Sequence, residues 1–404
     1  MTKEKVIPQI RFSGFTDTWE QRKLSDMVER VTRKNENRES ELPLTISAQY
    51  GLIDQNEFFD KRIASRDVSG YYLLKKGEFA YNKSTSSDAP WGAVKRLDRY
   101  EMGVLSTLYI VFALKENGNI DSNFLVSYYD TDCWHKGVQA IAAEGARNHG
   151  LLNITPADYF ETVLTVPSDV KEQHQIGSFF AKLDTLITLH QRKYDKLTKV
   201  KKAMLEKMFP KNGSLYPEIR FKDFTDAWEQ RKFSELTEIR SASRVHKEEW
   251  QSSGVPFYRS SDVMAALNGT ENEKAFISEE LYEKLSAVSG KLEKGDILVT
   301  GGGSVGKPYI VPNNEPLYTK DADLLWVKNN EKLVPYFIYT FFFSPAFSDY
   351  LNSVSHVGTI AHYTITQLEE TPITLPCVSE QQKIGDYFRN IDSLITLHQR
   401  KPFC

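Results

Sequence analysis

The chain contains only three cysteines, Cys133, Cys377 and Cys404, among its 404 residues. They are too scattered for a disulfide framework or a zinc site, both of which need matched spacings. The longest apolar run, residues 336–343, is far shorter than a membrane span, and the N-terminus lacks the apolar core of a secretory signal. These absences predict a reduced, cytoplasmic protein.

A strong charge of either sign is also missing, since the formal net charge is −3. A chain with this balance cannot attract nucleic acid over its whole surface, so any DNA contact must be local. The sequence contains neither an Asp-Pro-Pro-Tyr or Asn-Pro-Pro-Tyr run for amino methylation nor a GxGxxG placed after a strand for a nucleotide cofactor. These gaps argue against an enzyme with its own active site.

One segment, residues 301–307 (GGGSVGK), matches the phosphate-binding pattern GxxxxGK. A true P-loop continues with Ser or Thr, which holds magnesium, and then with a helix whose N-terminus meets phosphate. Here Pro308 follows, and residues 309–311 are typical of a strand. The segment therefore predicts a glycine-rich hairpin that presents backbone amides and Lys307 to a DNA backbone, with a purely structural turn as the alternative.

What the chain does contain is a long helical pattern at residues 171–210. Apolar residues recur there alternately every three and four positions, as in a coiled coil. Asp169 and Glu172 predict a capping box at its start. A single helix of this length cannot bury its apolar stripe alone and needs a partner. The predicted seam residues of this helix are Ile176, Phe180, Leu183, Ile187, His190, Tyr194 and Leu197.

The chain repeats this helix and a second segment. Residues 384–401 match residues 176–193 at 12 of 18 positions, and residues 217–236 match residues 8–27 at 13 of 20 positions. The offsets are 208 and 209 residues, so the chain is a tandem duplication of two domains. The predicted seam residues of the second helix are Ile384, Phe388, Ile391, Ile395 and His398.

The duplication predicts an α+β fold, with two tandem variable domains of shared fold joined by long coiled-coil helices that pair either parallel or antiparallel. A KG(E/D) tripeptide precedes a strand-like segment in each half, at residues 76–78 and 294–296. The predicted divisions are a junction repeat (1–23), a first variable domain (24–167), a central spacer helix (168–210), a second junction (211–232), a second variable domain (233–376) and a shortened C-terminal helix (377–404). For the junctions we favour a structural role over a docking patch.

The duplicated FTDxWEQRK junctions at residues 15–23 and 224–232, the KG(E/D) tripeptides and the two LITLHQRK helices resemble the specificity (S) subunit of type I restriction–modification systems. The resemblance covers essentially the whole chain. It implies that each variable domain is a target-recognition domain, which reads one half of a bipartite double-stranded DNA target. It further implies that the two long helices pack antiparallel as a coiled coil and set the spacing. It also implies a non-catalytic chain that recruits two methyltransferase (M) subunits, which bind S-adenosylmethionine, and restriction (R) subunits, which use ATP and magnesium.

Two other functions stay open beside this one. The chain could be an enzyme fragment, a DNA methyltransferase or nuclease fused to a specificity region, against which the missing methylation motifs argue. It could also be a coiled-coil adaptor for proteins alone, against which the unequal polar loops of the two domains argue. In one respect the chain departs from the resemblance, which implies a longer second helix than the one that meets Pro402 directly after Lys401.

Polar clusters beside the strand-like segments are the candidates for DNA contact. Arg240 and Arg244 suit phosphate contact, which fixes register without reading sequence, and a solvated loop is the equal alternative. The other candidates carry groups that address base edges or the backbone, with ordinary polar loops as the alternative. They are Lys83, Ser84, Thr85, Ser86, Arg147, Asn148, His149, Arg259, Ser260, Ser261, Gly303, Ser304, Lys307, Thr359 and His362.

His190 and His398 occupy the same position in the two helices. A pair of histidines raises the possibility of a metal site, but no further ligand keeps a suitable spacing with them. We therefore predict two polar seam residues that fix the helix register. No catalytic residue, metal ligand or bound cofactor is predicted for this chain.

Overall fold

The computed structural model describes residues 7–47, 50–61, 63–87, 89–142, 150–211, 213–320, 323–354 and 362–399. The chain divides into two compact units, Met1–Thr188 and Leu189–Cys404, and the boundary falls within the long helix. The predicted DNA contacts Arg147, Asn148, His149 and Thr359 lie outside the described residues.

The first unit alternates short strands with short helices. Its strands are β1 (Glu20–Lys23), β2 (Val28–Arg30), β3 (Leu44–Ser47), β4 (Gly51–Asp54), β5 (Tyr72–Lys75), β6 (Phe79–Asn82), β7 (Ala93–Arg96), β8 (Met102–Leu105), β9 (Ile110–Leu114) and β10 (Val163–Val166). Its helices are α1 (Leu24–Met27), α2 (Gln55–Phe59), α3 (Ser122–Tyr129), α4 (His135–Ile141), α5 (Pro156–Phe160) and the first part of α6 (Val170–Lys207).

A four-stranded antiparallel sheet, in the order β2-β9-β6-β7, forms the centre of the first unit. The fully buried rings of Phe79 and Phe112 stack on it with centroids 5.3 Å apart, and Phe124 of α3 joins the same apolar cluster. Burying each such side chain contributes about 1.5–3 kcal/mol. The two-stranded antiparallel sheets β3-β4 and β5-β8 carry a separate apolar cluster beside this sheet.

The second unit contains the end of α6 and its own set of elements. Its strands are β11 (Glu229–Lys232), β12 (Ile239–Ser241), β13 (Val255–Tyr258), β14 (Ala275–Ile277), β15 (Ile297–Thr300), β16 (Pro308–Ile310), β17 (Tyr318–Thr319), β18 (Leu324–Val327) and β19 (Pro372–Leu375). Its other helices are α7 (Phe233–Leu236), α8 (Ser260–Asn268), α9 (Glu279–Ser289), α10 (Pro335–Phe341), α11 (Pro345–Val354), α12 (Ile365–Glu369) and α13 (Val378–Gln399).

The second unit repeats the central sheet of the first, in the order β12-β18-β15-β16. Each of these strands stands at the same place in the repeat as β2, β9, β6 and β7, and the KG(E/D) tripeptides precede β6 and β15 as predicted. Outside this sheet the units differ, because the second has a three-stranded sheet β14-β13-β17 in which β13 and β17 run parallel. The predicted α+β fold with two domains of shared fold is confirmed.

The long helix α6 forms as predicted, over Val170–Lys207, and its rod of 38 residues is roughly 57 Å long at about 1.5 Å per residue. The predicted capping box is wrong in part. Asp169 does cap the helix, since its carboxylate accepts from the Lys171 amide at 2.8 Å. Glu172 does not complete the box, because its carboxylate pairs with Arg11.

Within the second unit, α6 and α13 run antiparallel. The Nδ1 atoms of His190 and His398 lie 2.8 Å apart, and further along α6 the Lys201 ammonium lies 2.5 Å from the Asp392 carboxylate on α13. Moving forward along α6 therefore means moving backward along α13. Tyr194 and Ile395, predicted as seam residues, line one cavity together, and Leu197 is half-buried.

The rest of the predicted seam divides between the two units. Ile384, Phe388 and Ile391 of α13 are buried, as predicted for a seam. In the first unit Ile176 packs partly against the domain core, but Phe180, Leu183 and Ile187 are exposed. For these last three the predicted burial is wrong, because the apolar cluster of the first unit reaches along α6 only to Ile176 among the described residues.

Candidate nucleic-acid interface

Each junction repeat is fixed to the start of its own long helix by a bidentate ion pair. Arg11 donates from Nε and Nη2 to the two oxygens of Glu172 at 2.6 and 2.7 Å. Arg220 makes the same pair with Glu380 at 2.7 and 2.8 Å. Both carboxylates are fully buried, and their hydrogen bonds raise the pKa of both arginines above the usual value. We call each pair the junction lock.

A glutamine beside each lock completes the attachment. Gln173 accepts from the Asp121 amide at 2.8 Å and donates to the Pro167 carbonyl at 2.9 Å. Gln381 accepts from the Val334 amide at 3.1 Å and donates to the Pro376 carbonyl at 3.0 Å. These bonds satisfy backbone groups that would otherwise be buried without a partner.

The junctions also add a strand to each domain. β1 pairs antiparallel with β10, and β11 pairs antiparallel with β19. Each WEQRK segment therefore joins the first strand of its domain to the last one. Lys23 and Lys232 extend these pairs with salt bridges to Glu161 and Glu370, and those hydrogen bonds raise the pKa of both lysines. The predicted structural role of the junctions is confirmed.

The first candidate surface is the turn between β6 and β7. The Thr85 amide donates to the Gly150 carbonyl at 2.7 Å, and the Leu152 amide donates to the Lys83 carbonyl at 3.0 Å. These bonds tie the turn to the chain that directly follows residues 143–149. Ser84 and Ser86 are exposed there, whereas Lys83 and Thr85 are half-buried. Four predicted DNA contacts of the first domain thus lie on one fixed turn.

The equivalent turn of the second unit joins β15 to β16. The Gly306 amide donates to the Thr300 carbonyl at 2.8 Å and the Lys307 amide donates to the Thr300 hydroxyl at 2.8 Å. Gly303 has a φ of 69°, a conformation that favours glycine, and it is exposed together with Ser304. Because β16 follows directly as a strand, this segment is the predicted hairpin and lacks the helix of a P-loop.

The hairpin of the second unit gathers further predicted residues. The Gly301 amide donates to the Asp323 carbonyl at 2.7 Å, and the same carbonyl accepts from the Ser260 hydroxyl at 3.0 Å. The Tyr363 amide donates to the Gly301 carbonyl, which places His362 beside Gly302. Ser260, His362 and the exposed hairpin tip therefore form one cluster, which corresponds to the turn of the first unit.

Other predicted contacts are already paired within the chain. Arg259 donates to the Asp262 carboxylate at 3.0 Å and lies 5.5 Å from the Trp250 ring, and Ser261 accepts from Asn272. The Lys307 ammonium lies over the ring of Phe343, 5.7 Å from its centroid. A nucleic acid would have to compete with these contacts for the same groups.

Arg240 is held in the same way. It donates twice to the Glu238 carboxylate at 2.7 Å and stacks on Trp326, and this pair raises the pKa of Arg240 and lowers that of Glu238. Arg244 is exposed. Of the two residues predicted to contact phosphate, Arg240 is thus paired within the chain, and Arg244 lies at the surface.

The histidine pair joins the two helices of the second unit through the 2.8 Å contact between its Nδ1 atoms. Burial, followed by the nearby Lys193 and His190, lowers the pKa of His398. Within the described ranges, no group of three or more His, Cys, Asp or Glu side chains is placed to hold a metal ion. Nor does any helix of the described chain combine the length and apolar character needed to cross a membrane.

The junction locks are the main feature that sequence reasoning missed. A signal was present, because the sequence EQxxIG stands at residues 172–177 and again at residues 380–385, upstream of the matched helix segments. The repeated Arg of the IRF tripeptides, at positions 11 and 220, is the other half of that signal. The sequence around each motif gave no indication that the arginine of the IRF tripeptide contacts the glutamate of the EQxxIG segment.

Comparison with known proteins points to one family. A family model described as type I restriction modification DNA specificity domain matches residues 225–402. A putative type I restriction enzyme specificity subunit of Haemophilus influenzae is 29% identical over 165 residues, which cover 39% of this chain and 39% of the relative. The MjaVIII specificity subunit of Methanocaldococcus jannaschii is 24% identical over 251 residues, covering 60% of this chain and 58% of the relative.

The matched part of the chain thus spans about two fifths of the first relative and three fifths of the second. The crystal structure of the type I restriction–modification S subunit from Mycoplasma genitalium shares the fold, with a TM-score of 0.58 at 14% identity, covering 97% of this chain and 94% of that one. Its fold, the family model and the relatives agree with the duplicated junctions and helices. Residues 225–402 therefore carry a type I restriction modification DNA specificity domain, and the chain is similar to type I specificity subunits over the lengths given above.

Proposed function

We propose that this chain reads a bipartite double-stranded DNA target, with one half read by each domain. The observation that carries the proposal is the equivalent position of the two turns. The β6-β7 turn and the β15-β16 turn each join an inner strand to the edge strand at the same place in two sheets that share one strand order. Their sequences differ, with Lys-Ser-Thr-Ser at residues 83–86 and the glycine-rich segment GGGSVGK at residues 301–307.

A shared fold with different turns suits this task. The common sheet and the junction locks fix each turn relative to its own domain, and rigid support is what precise recognition requires. Hydroxyl, amide and imidazole groups on the turns and on their neighbours can address base edges, whereas lysines and backbone amides address phosphates. Because the net charge of the chain is slightly negative, the proposed contact is confined to these turns.

The proposal extends to the partners. The chain itself catalyses neither methylation nor cleavage and recruits two methyltransferase (M) subunits and, through the complex, restriction (R) subunits. S-adenosylmethionine, ATP and magnesium are bound by those partners. The long helices are the spacer that sets the distance between the half-sites. The sequence supports the non-catalytic role, because its one nucleotide-like segment continues as strand β16.

An exchange of recognition domains tests the two-reader model. Residues 24–165 are replaced by the equivalent domain of another specificity subunit, and the methylated motif is determined by methylome sequencing of cells that also carry the M partner. We expect one half of the motif to change while the other half and the gap stay the same. A simultaneous change of both halves would contradict independent reading.

Single lysines test the turn itself. We expect Lys83→Ala to weaken DNA binding by the assembled complex and to lower the salt slope of the binding constant by about one. Lys76→Ala is the matched control, because Lys76 is exposed in the same unit and paired with Glu101. Equal effects of the two substitutions would show that the turn is not the contact surface.

An insertion tests the spacer. Four residues added after Lys196 lengthen the helix by about 6 Å, or roughly two base pairs at about 3.4 Å each, and nearly preserve its phase. We expect the same half-sites with a wider gap in the methylated motif. An unchanged gap with full activity would mean that the helix does not set the spacing.

A further inference from the structure

A cavity of about 670 Å³ lies within the second unit, where the second variable domain meets α6 and α13. This volume falls within the range of about 300–1,000 Å³ that is usual for small-molecule sites. The lining comes from α6, α8, β16, α13 and the region of α10, so elements that are distant in sequence converge on one space. We call this space the helix cavity, and its lining includes Lys201, Lys307, Tyr309, Tyr336, Tyr339 and Phe343.

Aromatic rings form much of the wall of the helix cavity. The ring centroids of Tyr336 and Tyr339 on α10 lie 5.0 Å apart, and that of Phe343, just beyond the helix end, lies 5.2 Å from Tyr339. Tyr309 of β16 contributes a fourth ring from another element. All four side chains are half-buried, so part of each ring stays accessible. Neighbouring rings of this kind suit a planar aromatic ligand, which can stack on them.

The negative charge of the cavity is already neutralised. Asp392 is the only acid that lines it among the described residues. Tyr336 donates to one oxygen of this carboxylate at 2.8 Å, and the Lys201 ammonium lies 2.5 Å from the other. Burial raises the pKa of Tyr309, Tyr336 and Tyr339, so their hydroxyls stay neutral at physiological pH. The wall therefore does not repel an anion.

The cavity also contains a cation that has no counter-ion. The ammonium groups of Lys307 and Lys201 lie 5.7 and 5.2 Å from the centroid of the same Phe343 ring. Lys201 is paired with Asp392, whereas the half-buried Lys307 forms no ion pair with any described residue. A partly desolvated charge without a partner favours an anionic ligand. Because an ammonium has several N–H donors, Lys201 can bind the same anion while it keeps Asp392.

The first unit does not repeat this wall. Counted from the matched pair Phe124 and Phe337, the three wall positions of the α10 region are Asn123, Val126 and Asp130 in the first unit. An aromatic ring is missing at each of them, and Asp130 places a carboxylate where the second unit has Phe343. The fold shared by the two units therefore does not require these rings, which favours a separate role for them.

We propose that the helix cavity binds a mononucleotide, with its base on the tyrosine rings and its phosphate on Lys307 beside Lys201. Stacking on aromatic side chains accepts any base, because every base has a π face, and the charge-assisted bonds of an ammonium suit a phosphate. The cavity also contacts α8 and β16, the elements that follow the predicted DNA contacts Ser260 and the 301–307 hairpin. The bound mononucleotide fixes these elements to the helices, and its binding does not depend on the proposed DNA contact.

Titration with adenosine monophosphate tests the proposal without DNA or partner subunits. The full chain is titrated by isothermal calorimetry, which measures the Kd and the stoichiometry. We expect a single site per chain. Adenosine lacks the phosphate and inorganic phosphate lacks the ring, so each should bind at least about tenfold more weakly. Absence of binding at about 1 mM adenosine monophosphate, or equal binding of either fragment, would overturn the proposal.

A lysine variant locates the phosphate. Lys307→Gln removes a cation that is paired with no described residue, so the fold should survive. We expect it to weaken binding of adenosine monophosphate by at least about tenfold and to leave binding of adenosine unchanged. Lys383→Gln is the matched control, because Lys383 also lies over a phenylalanine ring, 4.9 Å from the Phe224 centroid, but outside the cavity. Parent-like affinity of Lys307→Gln would overturn the proposal.

Ring variants locate the base. Tyr339→Leu and Tyr309→Leu each remove a ring but keep apolar volume, and they lie on different elements, so the test does not depend on the folding of a single variant. We expect each to weaken binding of both adenosine monophosphate and adenosine by about fivefold or more. Tyr216→Leu is the control, since Tyr216 is exposed and lies outside the cavity. Parent-like affinity in both ring variants would overturn the proposal.

Discussion

The two halves of this chain differ least where they attach to the helices and most where they meet solvent. Both have the bidentate junction lock, the buried glutamine and the closing strand, with nearly the same distances. Their peripheral sheets differ, with two separate two-stranded sheets in the first unit and one sheet containing a parallel pair in the second. The attachment of each domain to its long helix is thus the same in both halves, whereas the surface proposed to contact DNA differs between them.

The second difference concerns an aromatic cleft at the start of each long helix. Trp19, Phe124 and Phe180 line it in the first half, and Trp228, Phe337 and Phe388 line it in the second. In the second half Phe209 closes it, and Trp228 is 1% exposed. In the first half Trp19 is only half-buried, and its indole nitrogen turns to the lock, donating to Glu172 at 3.4 Å. Closely similar junction repeats therefore end in different environments, because the second half receives the end of α6 and the first half receives no such helix end within the described residues.

The largest expected effect comes from making the second half resemble the first. We expect Phe209→Ala to lower the free energy of unfolding of the second unit by about 3–5 kcal/mol, because it removes a fully packed aromatic ring. Urea denaturation followed by tryptophan fluorescence measures this loss. Leu397→Ala is the control, since Leu397 is 59% exposed on α13. A loss no larger than that of the control would show that Phe209 does not hold the cleft closed.

The junction lock should come next. We expect Arg220→Ala to destabilise the second unit by about 3 kcal/mol, because the fully buried Glu380 is left as an unpaired charge. Lys232→Ala removes an exposed pair from the same junction and should change stability little. Limited proteolysis should show the loss as earlier cleavage in the second unit. Equal behaviour of the two variants would mean that the lock is only a surface contact.

Much of the fold could be predicted because its signals are local or repeated. The heptad pattern predicted α6 to within a few residues, and the KG(E/D) tripeptides correctly predicted that β6 and β15 follow directly after them. The short strands β7 and β8 were missed, since their few residues carry no clear alternation. The order of strands in each sheet depends on distant pairing, which sequence patterns do not specify.

The functional features divide in the same way. The turns at residues 83–86 and 301–307 could be predicted, because each follows a recognisable strand. The junction lock could not, since Arg11 and Glu172 stand 161 residues apart and each looks like an ordinary surface residue alone. The exposure of Phe180, Leu183 and Ile187 was also unforeseen, because a periodic apolar stripe predicts burial but does not say whether a partner is present.

A smaller effect comes from a glycine shared by both helices. A Cβ added at Gly177 would lie 2.3 Å from the Phe124 amide nitrogen, whereas one at Gly385 would lie 3.1 Å from the Phe337 amide nitrogen. We expect Gly177→Ala to cost about 1–3 kcal/mol, because the backbone of α3 must move. In Gly385→Ala the gain in helix propensity, up to about 1 kcal/mol, offsets most of the strain. Thermal denaturation that ranks the two in the opposite order would show that α10 approaches its helix more closely than α3 does.

The smallest expected effect concerns pH and the histidine pair of the second unit. The short contact between the Nδ1 atoms of His190 and His398 needs at least one neutral ring, and the buried Nε2 of His398 has no hydrogen-bond partner among the described residues. Burial and the neighbouring Lys193 and His190 lower the pKa of His398 in the folded state.

A lowered pKa in the folded chain means that the unfolded chain binds the proton more readily. The contribution of His398 to stability should therefore be complete above the unfolded pKa of about 6.5 and should be lost as the pH falls through the lower folded value. We expect the urea midpoint of the second unit to decline over this range in the parent chain and to decline less in His398→Gln, which keeps a neutral polar group. The Leu397→Ala variant serves as the neighbouring control and should follow the parent. Parallel pH profiles for His398→Gln and the parent would show that the pair tolerates protonation and does not fix the helix register.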